Sequence, residues 1–346
     1  MFRDALLKVM GKADLSAAEA AAAMDEIVDG HVAPAQVAGL LVGLAMKGER
    51  PDEIVGFARA MRDRAVRVPV APGTTADLCG TGGDGSGSFN ISSAASIVAA
   101  ACGLTVAKHG NRSVSSRCGS ADVFEALGVN LSPGPAVLAD CLAKAGIAFL
   151  FAPAMHPSTR SVAAVRKDLG VRTAFNLLGP LTNPTRPAFQ IVGVPRPELT
   201  ELIARALALL GSRRAWVVHG ADGLDELSTT GYSKVSECRD GTVKTFYVHP
   251  SDVGLPKSPA SALAGGDAAA NAGVVRDVLA GGRGAARDVV LLNAGAALFV
   301  AGRVSRLGDG LSAAAAAIDD GAALRTLDAL VRWSAAPPAA TAEQAT

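Results

Sequence analysis

The stretch DLCGTGGDGSGSFNISS, Asp77–Ser93, carries five glycines, two acids, five hydroxyl side chains and one asparagine. Glycine at this density costs backbone entropy, so the bare backbone must serve a purpose. TADLCG reads as a short strand leading in, and ISSAASIVAAACG as the helix leading out. A glycine loop between strand and helix offers backbone N–H groups to an anion beside a helix N-terminus. Asn90, Ser92 and Ser93 stand where they either cap that helix or touch a ligand.

Outward from the loop the alternation continues. LTVAKHG reads as a strand, SPGPAVLADCLAKAG as a helix, IAFLF as a strand and HPSTRSVAAVRKDLG as a helix. FNLLGPLTNPTRP is a crossing segment rich in Pro, Asn and Gly. Strand FQIVGV, helix PELTELIARALALLG and strand AWVVHG follow. YSKVSEC and VKTFYVH form a hairpin closed by Asp240–Gly241, and the chain from about 266 onward is mostly helical. This predicts an α/β fold with a central, mostly parallel sheet flanked by helices.

The first 70 residues read instead as four short helices. Ser16 and Glu19 form a capping box, and Pro34 and Pro51 stand at first helical positions. The expected organisation is a helical domain over 1–70, an α/β domain over 72–154 and 191–335, and a disordered tail over 336–346.

Composition narrows the function classes. Of 346 residues 49% are hydrophobic, enough for a sizeable core, and 19% are charged. A net charge of +1 without basic blocks argues against a chain-wide nucleic-acid or membrane surface, though not against a local cationic pocket. Five scattered cysteines read as reduced thiols, not as a disulfide frame or zinc site. With no signal peptide and no apolar run near the ~18 residues of a membrane span, a soluble cytoplasmic protein is expected.

Gly80, Gly82 and Gly85 match the G-x-G-x-x-G spacing of a dinucleotide site, but such a site wants an acid where the second strand here ends in Lys108. A Walker A loop fails because Ser86, not lysine, follows Gly85. After the second strand, KHGNRSVSSRCGSADVFEALG brings Lys108, Arg112 and Arg117, with the hydroxyls of Ser113, Ser115, Ser116 and Ser120 and the amide of Asn111. Two loops at the carboxyl ends of neighbouring strands converge on one crevice, and this cationic, hydroxyl-rich one favours phosphate. A solvated polar turn is the alternative. His31, His156 and His249 read as loop or surface histidines. Asp225 and Glu226, adjacent in HGADGLDELSTTG, suit Mg²⁺ near phosphates or are ordinary turn acids.

Taken together, these segments closely resemble the anthranilate phosphoribosyltransferase family, from the N-terminal helices to about residue 335. The resemblance rests on GTGGDGSGSFNIS, KHGNRSVSSRCGSADVFEALG, His156–Pro157, VRKDLGVRTAFNLLGPLTNP and HGADGLDELS, in that order. It implies a fold like nucleoside phosphorylases and phosphoribosyltransferases, in which about 155–190 returns to the helical domain. It also implies a homodimer, two Mg²⁺ ions per subunit, and anthranilate and 5-phosphoribosyl 1-pyrophosphate (PRPP) as substrates, with no nucleic acid or membrane partner.

By position, Gly80, Gly83, Asp84, Ser88, Asn90, Ile91, Ser92 and Ser93 match the family's pyrophosphate cradle. Lys108, His109, Gly110, Asn111, Arg112, Ser113, Val114, Ser115, Ser116 and Ser120 match the loop around the phosphoribosyl and diphosphate groups. Gly80, His109, Asn111 and Arg166 match the anthranilate contacts, and Ser92, Asp225 and Glu226 the Mg²⁺ ligands. Ser93 departs from the usual threonine, and HPSTRSVAAVR from the usual helix. The resemblance implies no obligatory general base, with Lys108 and Mg²⁺ stabilising the transition state. Pyrimidine nucleoside phosphorylases share the architecture, but their phosphate loop departs from KHGNR. Nucleic-acid-binding paralogues should lose the anthranilate contacts, whereas Asn111 and Arg166 are present.

Overall fold

The computed structural model describes residues 1–71, 73–113 and 117–337; Pro72, Val114, Ser115, Ser116 and the tail from 338 lie outside the described residues. Four helices open the chain: α1 (Phe2–Met10), α2 (Ala17–Val28), α3 (Pro34–Lys47) and α4 (Pro51–Asp63). Their starts follow the expected chemistry. The Glu19 N–H donates to Ser16 Oγ at 3.2 Å while Glu19 Oε2 accepts the Ser16 N–H at 2.8 Å. Pro34 and Pro51 stand at first-turn positions, where a missing N–H costs nothing.

The sheet begins with β1 (Ala76–Gly80), followed by α5 (Ile91–Ala101), β2 (Val106–Gly110), α6 (Ser120–Ala126), α7 (Pro135–Lys144) and β3 (Ile147–Phe151). Helices α8 (Ala152–Met155), α9 (Arg160–Leu169) and α10 (Phe175–Leu178) lead to β4 (Phe189–Gly193), α11 (Leu199–Leu209) and β5 (Arg214–Gly220). The hairpin β6 (Ser233–Arg239) and β7 (Thr242–Val248) precedes α12 (Ala268–Leu279), α13 (Ala285–Val300), α14 (Leu307–Asp319) and α15 (Ala322–Ser334). Two elements depart from the expected pattern. Helix α6 lies inside the segment read as loop, and the crossing segment holds α10 and a 3-10 turn, Gly179–Leu181. Ala336, assigned to the tail, still donates to the Trp333 carbonyl at 3.2 Å.

The strand order is β3-β2-β1-β4-β5-β6-β7, with the first five strands parallel and the hairpin antiparallel. Asp240 and Gly241 both take left-handed conformations (φ 48° and 80°), as a tight hairpin of this twist requires. Side chains alternate across the sheet. Ile191, Trp216 and Val218 join a core with α5, α7 and α12 to α15. Val192, Ala215 and Val217 join the opposite core with α1 to α4, α9, α10 and α11. Residues 162–181 thus share apolar packing with the N-terminal helices. The chain runs from β1 out to β3 and returns past β1 to β4, so the order reverses between β1 and β4. Open α/β sheets bind ligands beyond the strands' carboxyl ends at such a point.

One correction concerns His156. It is buried, 4% exposed, not a surface histidine, because β3 runs directly into α8 and the turn after α8 points inward. Its ring meets that of His109 edge-on, with centroids 5.3 Å apart. His109 Nδ1 lies 3.0 Å from the Gly179 carbonyl. Burial lowers the pKa of His109 to about 3 and of His156 to about 4, so both rings are neutral near pH 7.

These shifts fix the direction of a pH dependence. Above the unfolded value of about 6.5 neither state binds the proton; below it the unfolded chain takes up protons that the folded chain excludes. Each histidine therefore removes up to about 1.4 kcal/mol of stability per pH unit as pH falls from 6.5 toward 4. Buried carboxylates with raised pKa act with the opposite sign, so the readout is a difference between proteins. Thermal melts of wild type, His109→Gln and His156→Gln at pH 7, 5.5 and 4.5 should show both variants losing less Tm on acidification than wild type.

Candidate active site

The glycine loop leaves β1 and is pinned at both ends. The Thr81 N–H donates to the Gly193 carbonyl at 2.9 Å, at the carboxyl end of β4. Beyond it, Phe89 N–H donates to Leu263 O at 3.0 Å and Gly265 N–H to Gly87 O at 2.8 Å. Between these ends Gly82, Gly83, Gly85 and Gly87 all have φ between 65° and 75°, a left-handed run that residues with Cβ rarely adopt. Asn90 is the N-cap residue of α5 but makes no capping bond. Its side chain ties the two loops instead: Nδ2 donates to Cys118 O at 3.3 Å, and Oδ1 accepts from Asn271 Nδ2 at 2.9 Å.

Asp225 enters this loop from beyond β5. The α-carbons of Gly80 and Gly193 are packed so closely against it that a Cβ on either would collide with Asp225. The Gly82 N–H donates to Asp225 Oδ2 at 3.0 Å, and the Asp225 N–H to Asp84 Oδ2 at 3.4 Å. One carboxylate oxygen from each of Asp84, Asp225 and Glu226 lies within 4.8 Å of the others. Burial, then mutual repulsion, raises Asp225 and Glu226 well above the usual carboxylate range. Glu226 Oε2 is buried and has no hydrogen-bond partner among the described residues. Crowded, desolvated acids with an unanswered oxygen fit a hard divalent cation, which takes oxygen ligands and would relieve the repulsion. Asp84 joins this cluster, although its motif position pointed only to the diphosphate cradle.

Lys108 is 1% exposed; its Nζ donates to the Leu78 carbonyl and lies 3.4 Å from Ser92 Oγ. Burial lowers its pKa, while Asp77, Glu226 and Asp225 oppose that shift. Ser92 is the second residue of α5, so the Lys108 ammonium lies beside the first turn of that helix. Ser93 is buried with its hydroxyl unpartnered among the described residues. Ser88 pairs by a single bridge with Ala264.

The cationic loop is only partly turned to the crevice. Arg112 forms ion pairs of 2.8 Å with both Asp122 and Glu125 of α6, so its charge is answered locally. The Asn111 side chain accepts the Arg112 N–H at 2.7 Å, and Ser120 Oγ donates to Asn111 O at 3.3 Å. Ser113 N–H donates to Asp122 Oδ2 at 3.3 Å. A Cβ at Gly110 would strike Ser120 and Phe149. Val114, Ser115 and Ser116 lie outside the described residues.

Arg166, on α9, lies over the Phe175 ring with its guanidinium carbon 5.2 Å from the centroid. It makes no side-chain hydrogen bond or ion pair among the described residues, leaving its fork free. Arg172 was not expected here from sequence. Its Nη1 donates to the Gly82 carbonyl at 2.8 Å and covers Gly83. Its signal was its place two residues after the left-handed Gly170 that ends α9.

This geometry can be set beside known proteins. Residues 72–324 match the α/β domain of a glycosyl transferase family, and residues 3–65 match the helical bundle domain of a glycosyl transferase family. An anthranilate phosphoribosyltransferase of Moorella thermoacetica is 52% identical over 333 residues, covering 96% of this chain and 98% of that one. The crystal structure of the Thermus thermophilus anthranilate phosphoribosyltransferase superimposes with a TM-score of 0.91 at 44% identity, covering 96% of this chain and 100% of that one. The Saccharomyces cerevisiae enzyme in complex with PRPP and Mg superimposes at 0.87 with 27% identity, covering 96% and 97%. Motif order, sheet topology and near-complete alignment agree, and the chain belongs to the anthranilate phosphoribosyltransferase family.

Proposed function

We propose that this chain transfers the phosphoribosyl group of PRPP to the amine of anthranilate. The products are N-(5-phosphoribosyl)anthranilate and pyrophosphate, in the second step from chorismate toward tryptophan. The observation that carries the reading is three clustered carboxylates facing a left-handed glycine loop beside the α5 N-terminus. That arrangement can hold a metal and a diphosphate side by side.

Displacement at the anomeric carbon loosens toward an oxocarbenium ion while negative charge gathers on the departing pyrophosphate. Donors aimed at that charge are usually the largest catalytic contribution. We assign the loop N–H groups, the hydroxyls of Ser88, Ser92 and Ser93, and Lys108 to this task. Asp84, Asp225, Glu226 and Ser92 would hold Mg²⁺, which when bound offsets charge on the phosphate oxygens. Three carboxylates exceed the charge of one Mg²⁺, which supports two ions per subunit.

The nucleophile is an aromatic amine, neutral at pH 7, so no strong base is required. Arg166 is assigned to anthranilate: a planar fork matches a carboxylate and can turn the amine toward the sugar. Asn111 and His109 complete that path. We further propose that residues about 155–190 complete the helical domain, supported by their shared core, and that the subunits pair through it. The exposed apolar side chains of Met1, of Leu7 and Met10 on α1 and of Met46 on α3 support pairing through this domain.

Protein mixed with anthranilate, PRPP and Mg²⁺ should deplete anthranilate fluorescence; absence of Mg²⁺-dependent depletion would sink the assignment. Arg166→Ala should raise KM for anthranilate by about 10- to 100-fold, the cost of losing hydrogen bonds to a charged group, with much less effect on PRPP. Equal effects on both substrates would remove it from the carboxylate. Asp225→Asn combined with Glu226→Gln should shift the Mg²⁺ titration to higher concentration; an unchanged titration would take both residues out of the metal site.

A further inference from the structure

Asp77 is fully buried, and the chemistry above does not use it. It lies in β1, which pairs with β4 at five positions but with β2 only at Ala76↔Val106. Beyond that point side chains answer the backbone groups that a ladder would have satisfied. Asp77 Oδ1 accepts the His109 N–H at 3.2 Å, and Asn183 Nδ2 donates to Ala107 O at 2.7 Å. The same Asn183 amide donates to Asp77 Oδ2 at 2.8 Å, and Lys108 Nζ takes the Leu78 carbonyl.

Asn183 is itself fixed. Its Oδ1 accepts from Thr185 N–H at 3.0 Å and Thr185 Oγ1 at 2.9 Å, and Thr185 Oγ1 lies 3.0 Å from Thr75 Oγ1. Asp77 and Asn183 are both 0% exposed. A buried carboxylate is costly unless hydrogen-bonded and near opposite charge; burial raises the Asp77 pKa, and the Lys108 charge and the hydrogen bonds from Asn183 and His109 oppose that shift. Unlike an ordinary ladder, this arrangement lets β2 end at a spacing from β1 set by two side chains. Lys108 Nζ lies 3.4 Å from Ser92 Oγ at the start of α5, while the next residue, His109, packs on the opposite side against the His156 ring and the Gly179 carbonyl.

We propose that Asp77 and Asn183 are positioning residues that hold the end of β2 so that Lys108 meets the phosphoribosyl diphosphate. The inference rests on the PRPP reading of that crevice. Asp77→Asn keeps an acceptor for one neighbour but turns an amide NH₂ toward the other donor. It should weaken PRPP binding or lower kcat by about 10- to 100-fold, the usual consequence of removing a supporting hydrogen bond beside a site.

The test combines calorimetric titration of PRPP in the presence of Mg²⁺, steady-state kinetics and thermal melts. The exchange Asp77→Asn with Asn183→Asp restores the hydrogen bond between the pair but sets a carboxylate oxygen against the Ala107 carbonyl, so it should leave most of the loss in place. Should Asp77→Asn not fold, Asn183→Ser, which leaves the carboxylate in place, is read the same way. A fall in Tm with unchanged PRPP affinity and unchanged kcat of the folded protein would assign the network to stability and overturn the proposal. Because PRPP binding is read without turnover, a wild type that binds PRPP but leaves anthranilate intact would refute the functional reading while this comparison still stands.

Discussion

Asp225 reaches the crevice only because two strands end without side chains. Its carboxylate and backbone press against Gly80 at the end of β1 and Gly193 at the end of β4, the pair between which the sheet reverses its order. A methyl group at either position would push the segment carrying Asp225 and Glu226 away from the glycine loop. Much of the site's geometry follows from this close approach. It brings the Gly82 N–H onto the carboxylate, sets Asp84 beside Asp225, and leaves Glu226 facing the same space. Glycine at these positions costs backbone entropy on folding, and the sheet's two packed faces supply the rigidity that makes it tolerable.

The charge distribution around that point is uneven. Three acids crowd within one small volume, while Arg172 touches the loop through the Gly82 carbonyl and Lys108 is sealed beneath it. Burial strips these acids of water and their mutual repulsion adds to it, which is why Asp225 and Glu226 hold their protons more tightly than usual. By contrast Arg112, which the sequence makes look like a phosphate ligand, is paired with Asp122 and Glu125. For Arg112 to act on a phosphate, these exposed pairs would have to open, and exposed pairs are weak.

The alternation of strands and helices was legible because each period is local: two residues for a strand, 3.6 for a helix. The capping box at Ser16, the hairpin turn at Asp240–Gly241 and the glycine loop all rest on interactions within a few residues. The family resemblance then assigned Asp225 and Glu226 to one site from motif alone. Less legible was α6, whose N-cap residue is Gly119, with no hydroxyl or amide to cap it; the Asp122 carboxylate accepts the Gly119 N–H at 2.8 Å instead. His156 looked like a loop residue because nothing in its neighbourhood shows that α8 turns it inward onto His109.

What the sequence by itself determined is the order of elements, the left-handed run of glycines and the chemical types gathered at the strand ends. These depend on backbone preference and on side-chain period, which act over short stretches. What only the tertiary structure decided is which groups meet. Asp77 and Asn183 are 106 residues apart, and Gly82 and Asp225 are 143 apart. No local preference couples such pairs. They come together because seven strands in one order place those chain segments side by side, and once buried there each polar group must find the other.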